Sequence, residues 1–189
     1  FRYYVDIVGN EKTPVLVVDN FLYEAEALLG FAVKFGEFRD GTDYYPGIQS
    51  KVPDFYNQAL QTYLRDIICR TFNITPENIS HSQSMYSMVL TPAAKLALPQ
   101  SRPHTDTITK HKLACVHYLC TPEKGGTSLY RHRATGFEQL SPERMDVYAE
   151  YLANEEQDAS DSHFIGFHVR IFSGRRAVEP RLRQKPEVT

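Results

Sequence analysis

Apolar residues recur at helical spacing in the first part of the chain and at a spacing of two in much of the second. Helical spacing predicts three helices, over residues 24–34, 53–72 and 141–154. Alternation and short β-branched runs predict strands over residues 15–18, 84–90, 112–120, 127–132 and 164–172. We therefore expect a mainly β protein with flanking α-helices, in which the later strands pair antiparallel.

Composition is that of an ordinary globular domain. The chain has 189 residues, of which 42% are hydrophobic and 23% are charged, so it can bury a core without crosslinks. No repeat or change of composition marks an internal boundary. We predict a single domain over residues 1–189, with helical support over 20–73 and a β core over about 82–176.

Charge and cysteine content narrow the possible partners and the compartment. The formal net charge of −2 favours neither nucleic acid nor an anionic membrane surface as a partner. No apolar run approaches the roughly 20 residues of a membrane span, and the first residues lack the order of a signal peptide. Cys69, Cys115 and Cys120 are an odd number of thiols, so we expect a reducing compartment and a cytoplasmic location. No pattern indicates the oligomeric state.

Candidate chemistry is concentrated in the tetrapeptide Pro103-His104-Thr105-Asp106. In an extended segment residues i and i+2 project to one side, so His104 and Asp106 can converge on a cation. A site with two His and one carboxylate leaves open the positions that Fe(II) enzymes need for a co-substrate and O₂. Alone the pair is a weak signal, because a solvated His and Asp need no ligand.

The segments around this pair resemble a known family. A strand bearing Tyr86 precedes the pair, and Leu113-Ala-Cys-Val-His-Tyr-Leu119 and then Pro122-Glu-Lys-Gly-Gly-Thr-Ser-Leu-Tyr130 follow it. Over about residues 13–140 this order resembles the prolyl-4-hydroxylase-like branch of the Fe(II)/2-oxoglutarate-dependent dioxygenases. The segment 125–136 is similar to an uncharacterised bacterial subgroup of oxygenases. The resemblance implies a double-stranded β-helix, a cupin-like jelly roll, with Fe(II) as cofactor and 2-oxoglutarate as co-substrate.

The resemblance also implies which residues form the metal site. His104 and Asp106 would be catalytic iron ligands, and a later histidine would be the third ligand. His168 and His163 are the two candidates for it. We favour His168 because it lies on the polar side of its predicted strand with Arg170, whereas His163 stands at a loop edge.

In this family a basic residue after the third ligand binds the distal carboxylate of 2-oxoglutarate. The resemblance assigns that role to Arg175 or Arg176, which follow Ser173-Gly174. Tyr130 and Arg131 would also bind the co-substrate or an acidic substrate if their strand borders the pocket. The alternative for these two residues is a solvated strand end.

The late segment departs from the family pattern, since Phe172 precedes Ser173-Gly174 where a histidine is usual. The interval from His168 to Arg175 is also shorter than usual. Two alternatives therefore stay open: a catalytically inactive double-stranded β-helix that acts as a binding module, and a cupin-like metal enzyme that does not use 2-oxoglutarate. An active enzyme would act on a small molecule or a peptide that the sequence does not identify.

Overall fold

The computed structural model describes most of the chain. It describes residues 1–41, 45–79, 83–97, 100, 103–108, 112–124, 126–155 and 164–169, with the backbone alone for residues 122, 154, 155 and 164–169. Contacts between Cα atoms group the chain into two compact units. We call residues 22–102 the central unit, and residues 1–21 together with 103–189 the split unit.

The split unit begins with a β-hairpin. Strands β1 (Arg2–Val8) and β2 (Thr13–Asp19) pair antiparallel along their whole length. In the connecting turn Gly9 has a φ of 71°, a left-handed conformation that glycine adopts without steric strain. The β-branched run over 15–18 correctly predicted β2. We missed β1, in which Tyr4 interrupts the alternation of apolar and polar residues.

The central unit contains two helices and a three-stranded sheet. Its elements are α1 (Ala25–Phe35), β3 (Arg39–Asp40), β4 (Gly47–Lys51), α2 (Asp54–Phe72) and β5 (Met85–Val89). The strands are antiparallel in the order β3-β4-β5. Both helices and β5 confirm the predicted elements, whereas β3 and β4 were not predicted.

The helices of the central unit end where the sequence offers a terminator. The Gly36 N–H donates to the Ala32 main-chain oxygen at 2.9 Å, and Asn73 ends α2 in the left-handed conformation. Apolar side chains at helical spacing are buried together with one residue of β5. The buried apolar residues of this unit are Leu28, Ala32, Tyr56, Leu64, Ile67, Cys69 and Tyr86.

The rest of the described split unit is a second two-stranded sheet and a helix. Strand β6 (Thr127–His132) pairs antiparallel with β7 (Phe164–Val169). Helix α3 (Met145–Glu155) follows a 3₁₀ turn over Pro142–Arg144. These elements confirm the strand predicted over 127–132 and the helix predicted over 141–154. They also confirm the first part of the strand predicted over 164–172, whose last three residues lie outside the described ones.

The strand predicted over residues 112–120 is wrong. These residues have no ladder pairing with any described strand, and Leu113 and Val116 are exposed. Alternation of apolar and polar residues is compatible with any extended segment. A β-strand also needs hydrogen bonds to a neighbouring strand.

The described strands form three small antiparallel sheets of two, three and two strands, and within the described residues none of them closes on itself. The double-stranded β-helix therefore stays a prediction. Of the helices that the structure describes, none combines the length and the apolar character needed to cross a bilayer.

Candidate functional site

His104 and Asp106 lie close together in an exposed loop of the split unit. The distance from His104 Nε2 to Asp106 Oδ1 is 3.6 Å, and the side chains are 72% and 77% exposed. Between them, the Thr105 hydroxyl donates to the Thr107 main-chain oxygen at 2.8 Å. The convergence expected from extended geometry is thus present where solvent has access to both side chains.

This separation fits two ligands of one transition-metal ion. Imidazole nitrogen and carboxylate oxygen bind such ions at about 2.0–2.2 Å, so two donors at angles of about 90–110° lie about 3.0–3.4 Å apart. Small rotations of the two exposed side chains would bring the observed 3.6 Å into that range. One imidazole and one carboxylate are also two of the three ligands of a non-haem Fe(II) site.

The third ligand is not among the described side chains. Within the part of the chain that the structure describes, no group of three or more His, Cys, Asp or Glu could hold a metal ion. The backbone of His168 lies in β7 opposite Ser128 of β6, two residues from Tyr130 along that strand. His163, Arg175 and Arg176 lie outside the described residues.

The segment after the His-x-Asp pair approaches the strand that pairs with β7. The Tyr118 hydroxyl and the Thr127 hydroxyl share a hydrogen bond, and Thr127 is the first residue of β6. The His117 ring packs edge-on against Phe21, with 6.0 Å between ring centres. Burial lowers the pKa of His117, so this histidine is held neutral against an aromatic ring.

Tyr86 has a structural contact in the central unit. It is buried, and its hydroxyl donates to the Leu28 main-chain oxygen of α1 at 2.8 Å. Burial also raises the pKa of the Tyr86 hydroxyl, so the group stays a neutral donor. Tyr86 therefore ties β5 to α1.

Arg131 is engaged by a carboxylate of its own chain, which argues against the predicted role in co-substrate binding. Its Nε and Nη2 atoms lie 2.7 and 2.6 Å from Glu138 Oε1. The Glu138 and Arg131 side chains are only 7% and 20% exposed. An arginine fork recognises carboxylates, and here the carboxylate is internal. Tyr130, its neighbour on β6, is exposed.

Glu138 joins β6 to the turn of the hairpin. The Asn10 N–H donates to Glu138 Oε1 and the Glu11 N–H to Oε2, both at 2.9 Å. Burial pushes the pKa of Glu138 upward, but these two N–H donors and Arg131 outweigh it and hold the pKa below its ordinary value. The carboxylate is therefore ionised at neutral pH and accepts four hydrogen-bond donors.

A second ion pair continues this contact. Arg144 Nη1 lies 2.7 Å from Glu11 Oε1 and donates to the Gln139 main-chain oxygen at 2.8 Å. Its guanidinium also lies over the Phe137 ring, 4.7 Å from the ring centre. We call Glu138, Arg131, Glu11 and Arg144 the hairpin clasp. Sequence reasoning missed it because its partners are up to 133 residues apart and no local pattern joins them.

His132 is a buried packing residue beside the clasp. Its side chain is buried, with 2% of its surface exposed, and Nδ1 lies 2.8 Å from the Thr135 hydroxyl. The ring meets Tyr148 of α3 edge-on, with 5.1 Å between ring centres. In the run Arg131-His132-Arg133, the first two residues therefore make contacts that support the fold, whereas Arg133 is exposed.

Comparison with known proteins gives membership of a family. Residues 1–183 match the family described as "Family of unknown function (DUF6445)", and the chain belongs to that family. No curated protein matches the chain. No solved structure matches it either.

Proposed function

We propose that this DUF6445 protein is a non-haem Fe(II)/2-oxoglutarate-dependent oxygenase with a double-stranded β-helix core. The observation that carries the proposal is the 3.6 Å separation of His104 Nε2 and Asp106 Oδ1 in a solvent-accessible loop. A histidine and a carboxylate at this distance supply two ligands of one face of a metal ion and leave the remaining positions open. The resemblance around residues 84–133 supports the same reading.

In this proposal His104 binds through neutral Nε2 and Asp106 through an ionised oxygen, since a metal ligand must be deprotonated. His168 would be the third ligand, with His163 as the alternative, and Arg175 or Arg176 would bind the distal carboxylate of 2-oxoglutarate as a planar fork. Bound Fe(II) would use O₂ as the oxidant and 2-oxoglutarate as the two-electron reductant, with succinate and CO₂ as products, to hydroxylate a substrate C–H bond. The protein contributes the open face and the orientation of the substrate.

Two further parts of the proposal concern the surroundings. Tyr130, which is exposed on β6, would line the substrate side of the proposed site. Arg131 is not assigned to the site, because its guanidinium already pairs with Glu138. Cys69, Cys115 and Cys120 are all free thiols, which supports a reducing, cytoplasmic location. The substrate class is a small molecule or a peptide.

The test is metal and co-substrate binding by variants of the tetrapeptide. Protein reconstituted with Fe(II) without O₂ should develop a visible charge-transfer band on addition of 2-oxoglutarate, and should form succinate once O₂ is admitted. His104→Ala and Asp106→Ala should lose bound iron, the band and succinate formation. Thr105→Ser, which keeps the hydroxyl between the two ligands, should retain all three. Succinate formation by His104→Ala at the wild-type rate would refute the assignment.

A second candidate is a binding module that has kept the fold without the metal site. It is favoured by the departure of the late segment from the family pattern, in which Phe172 precedes Ser173-Gly174, and by the internal pairing of Arg131. Wild-type protein that binds neither iron nor 2-oxoglutarate would support it. Iron binding without any effect of 2-oxoglutarate would instead support the cupin-like enzyme.

A further inference from the structure

Among the described residues, one edge of strand β1 is unpaired. Within the described residues it pairs with β2 alone, in a sheet of two strands. Tyr3, Val5 and Ile7 are exposed on one face of the strand. An exposed apolar edge of this kind is a template for pairing with another strand. The outer edge of β2 is a poorer template, because Pro14 removes a donor from it.

Pro14 also establishes which groups of β1 point outward. It lies opposite Ile7 and has no N–H, so that pair does not exchange two hydrogen bonds. The two kinds of pair alternate along an antiparallel ladder, so Val5 and Tyr3 are of the same kind as Ile7. The N–H and C=O groups of these three residues therefore point to the outer edge of β1.

The charges of β1 are arranged symmetrically. Arg2 and Asp6 lie two residues before and two residues after Tyr4. If two such strands run antiparallel with their Tyr4 residues facing, each Arg2 lies opposite Asp6 of the other strand. The same register brings Tyr3 opposite Val5, so the outward groups of one strand meet those of the other. The strand is thus its own complement in both charge and hydrogen bonding.

We propose that this protein forms a two-fold symmetric dimer in which β1 pairs antiparallel with β1 of a second copy, with Tyr4 at the symmetry axis. The two hairpins then become one four-stranded sheet, and the apolar strip of each strand continues into the other. A two-fold interface uses the same patch on both subunits, which is the property that the sequence Arg2-Tyr-Tyr-Val-Asp6 has.

Other pairings of the same strand leave its charges unmatched. A shift of two residues moves Arg2 opposite Tyr4 or Val8 of the other copy. A shift of one residue brings outward-pointing groups against inward-pointing ones. Parallel pairing in register places Arg2 against Arg2, and like charges directly opposite are destabilising.

Charge reversal in the full-length chain tests this register. Arg2→Glu and Asp6→Arg each create two repulsive pairs between the copies in place of two attractive ones, so each variant should dimerise from about fourfold to several hundredfold more weakly than the wild type in sedimentation equilibrium. Within its own hairpin Arg2 lies opposite Asp19 and Asp6 opposite Val15, so Asp6→Arg is the variant that changes no facing charge pair inside the chain. A mixture of the two variants should form a heterodimer, because every facing pair is again of opposite charge. The double variant should recover the homodimer. Far-UV circular dichroism monitors folding.

A disulfide test does not depend on charge. In a Cys115→Ser/Cys120→Ser background, Tyr4→Cys places two thiols at the axis, within the Cα separation that a disulfide spans. Ile7→Cys places them about 20 Å apart, since six residues of strand separate the facing positions. Oxidation should crosslink Tyr4→Cys and leave Ile7→Cys without an intermolecular disulfide.

Three results would overturn the proposal. The first is a wild-type protein that is monomeric at all concentrations. The second is a pair of folded charge variants that fail to associate when mixed. The third is equal crosslinking at the two cysteine positions.

Discussion

The hairpin clasp makes a quantitative prediction for Glu138→Gln. The substitution keeps the shape of the side chain and removes its charge. Three of the four donors, from Asn10 and Arg131, converge on Oε1 and the fourth, the Glu11 N–H, on Oε2. If the amide oxygen takes the first position, the amide NH₂ faces the Glu11 N–H and that hydrogen bond is lost.

The loss of stability follows from these contacts. Hydrogen bonds to a charged acceptor are worth about 1 kcal/mol more than those to a neutral one, and a buried cation without its partner adds a desolvation penalty. Removal of one partner of a buried ion pair costs about 3–5 kcal/mol. Since Glu138 is only 7% exposed, we expect the free energy of unfolding to fall by that amount.

The assay is urea unfolding followed by circular dichroism, with hydrogen exchange as a local readout. The amide protons of Asn10 and Glu11 donate to Glu138, so their exchange should accelerate by at least about 100-fold if 3 kcal/mol is lost. Glu150→Gln on the exposed side of α3 is the matched control and should change stability by less than about 0.5 kcal/mol. A Glu138→Gln protein as stable as this control would refute the reasoning.

Acid should remove the stabilisation that the ionised Glu138 carboxylate contributes. The pKa of Glu138 is below its ordinary value of 4.5 in the folded state, so the unfolded chain binds the proton first. The stabilisation is complete above about pH 4.5 and is lost as the pH falls through the folded-state pKa. The unfolding free energy of Glu138→Gln should therefore depend less on pH in this range than that of the wild type.

Two further substitutions have controls within the chain. Gly9→Ala should cost about 3 kcal/mol or more, because a β-carbon at this positive φ would overlap the Glu138 carboxylate. Gly136→Ala, at the same φ but with open space around it, should cost only about 1–2 kcal/mol by the same unfolding assay. Equal losses would contradict the overlap. Tyr86→Phe should lose about 1 kcal/mol with its buried hydrogen bond to α1. Tyr63→Phe, at an exposed position, should leave the free energy of unfolding unchanged. An unchanged free energy of unfolding for Tyr86→Phe would show that its hydrogen bond to α1 does not stabilise the fold.

Helices and strands were predictable where the residue pattern within one segment is enough to define the element. The helix over 53–72 shows apolar residues at helical spacing from a proline start, and the structure places α2 at Asp54–Phe72. The strand over 127–132 was found with the same bounds. The predicted strand over 112–120 failed because pairing depends on a neighbour that the segment does not encode.

In the candidate site, too, the local contact was predictable and the long-range contacts were not. The approach of His104 to Asp106 is a property of two residues at positions i and i+2, so local geometry was enough to predict it. The role of Arg131 was not predictable, although Glu138 is only seven residues away. Glu138 is held by the N–H groups of Asn10 and Glu11, which reach it only after the chain has folded back over more than 120 residues.

The sequence alone therefore determined the helices, most of the strands and the His-x-Asp pair, because periodicity, capping and i, i+2 geometry act within a few residues. The tertiary structure decided which charged side chains are exposed and which are paired inside. Arg131 and Glu138 look like ordinary surface residues in the sequence. Burial beside the hairpin turn makes them a structural ion pair, since removal from water leaves each the other's main electrostatic partner.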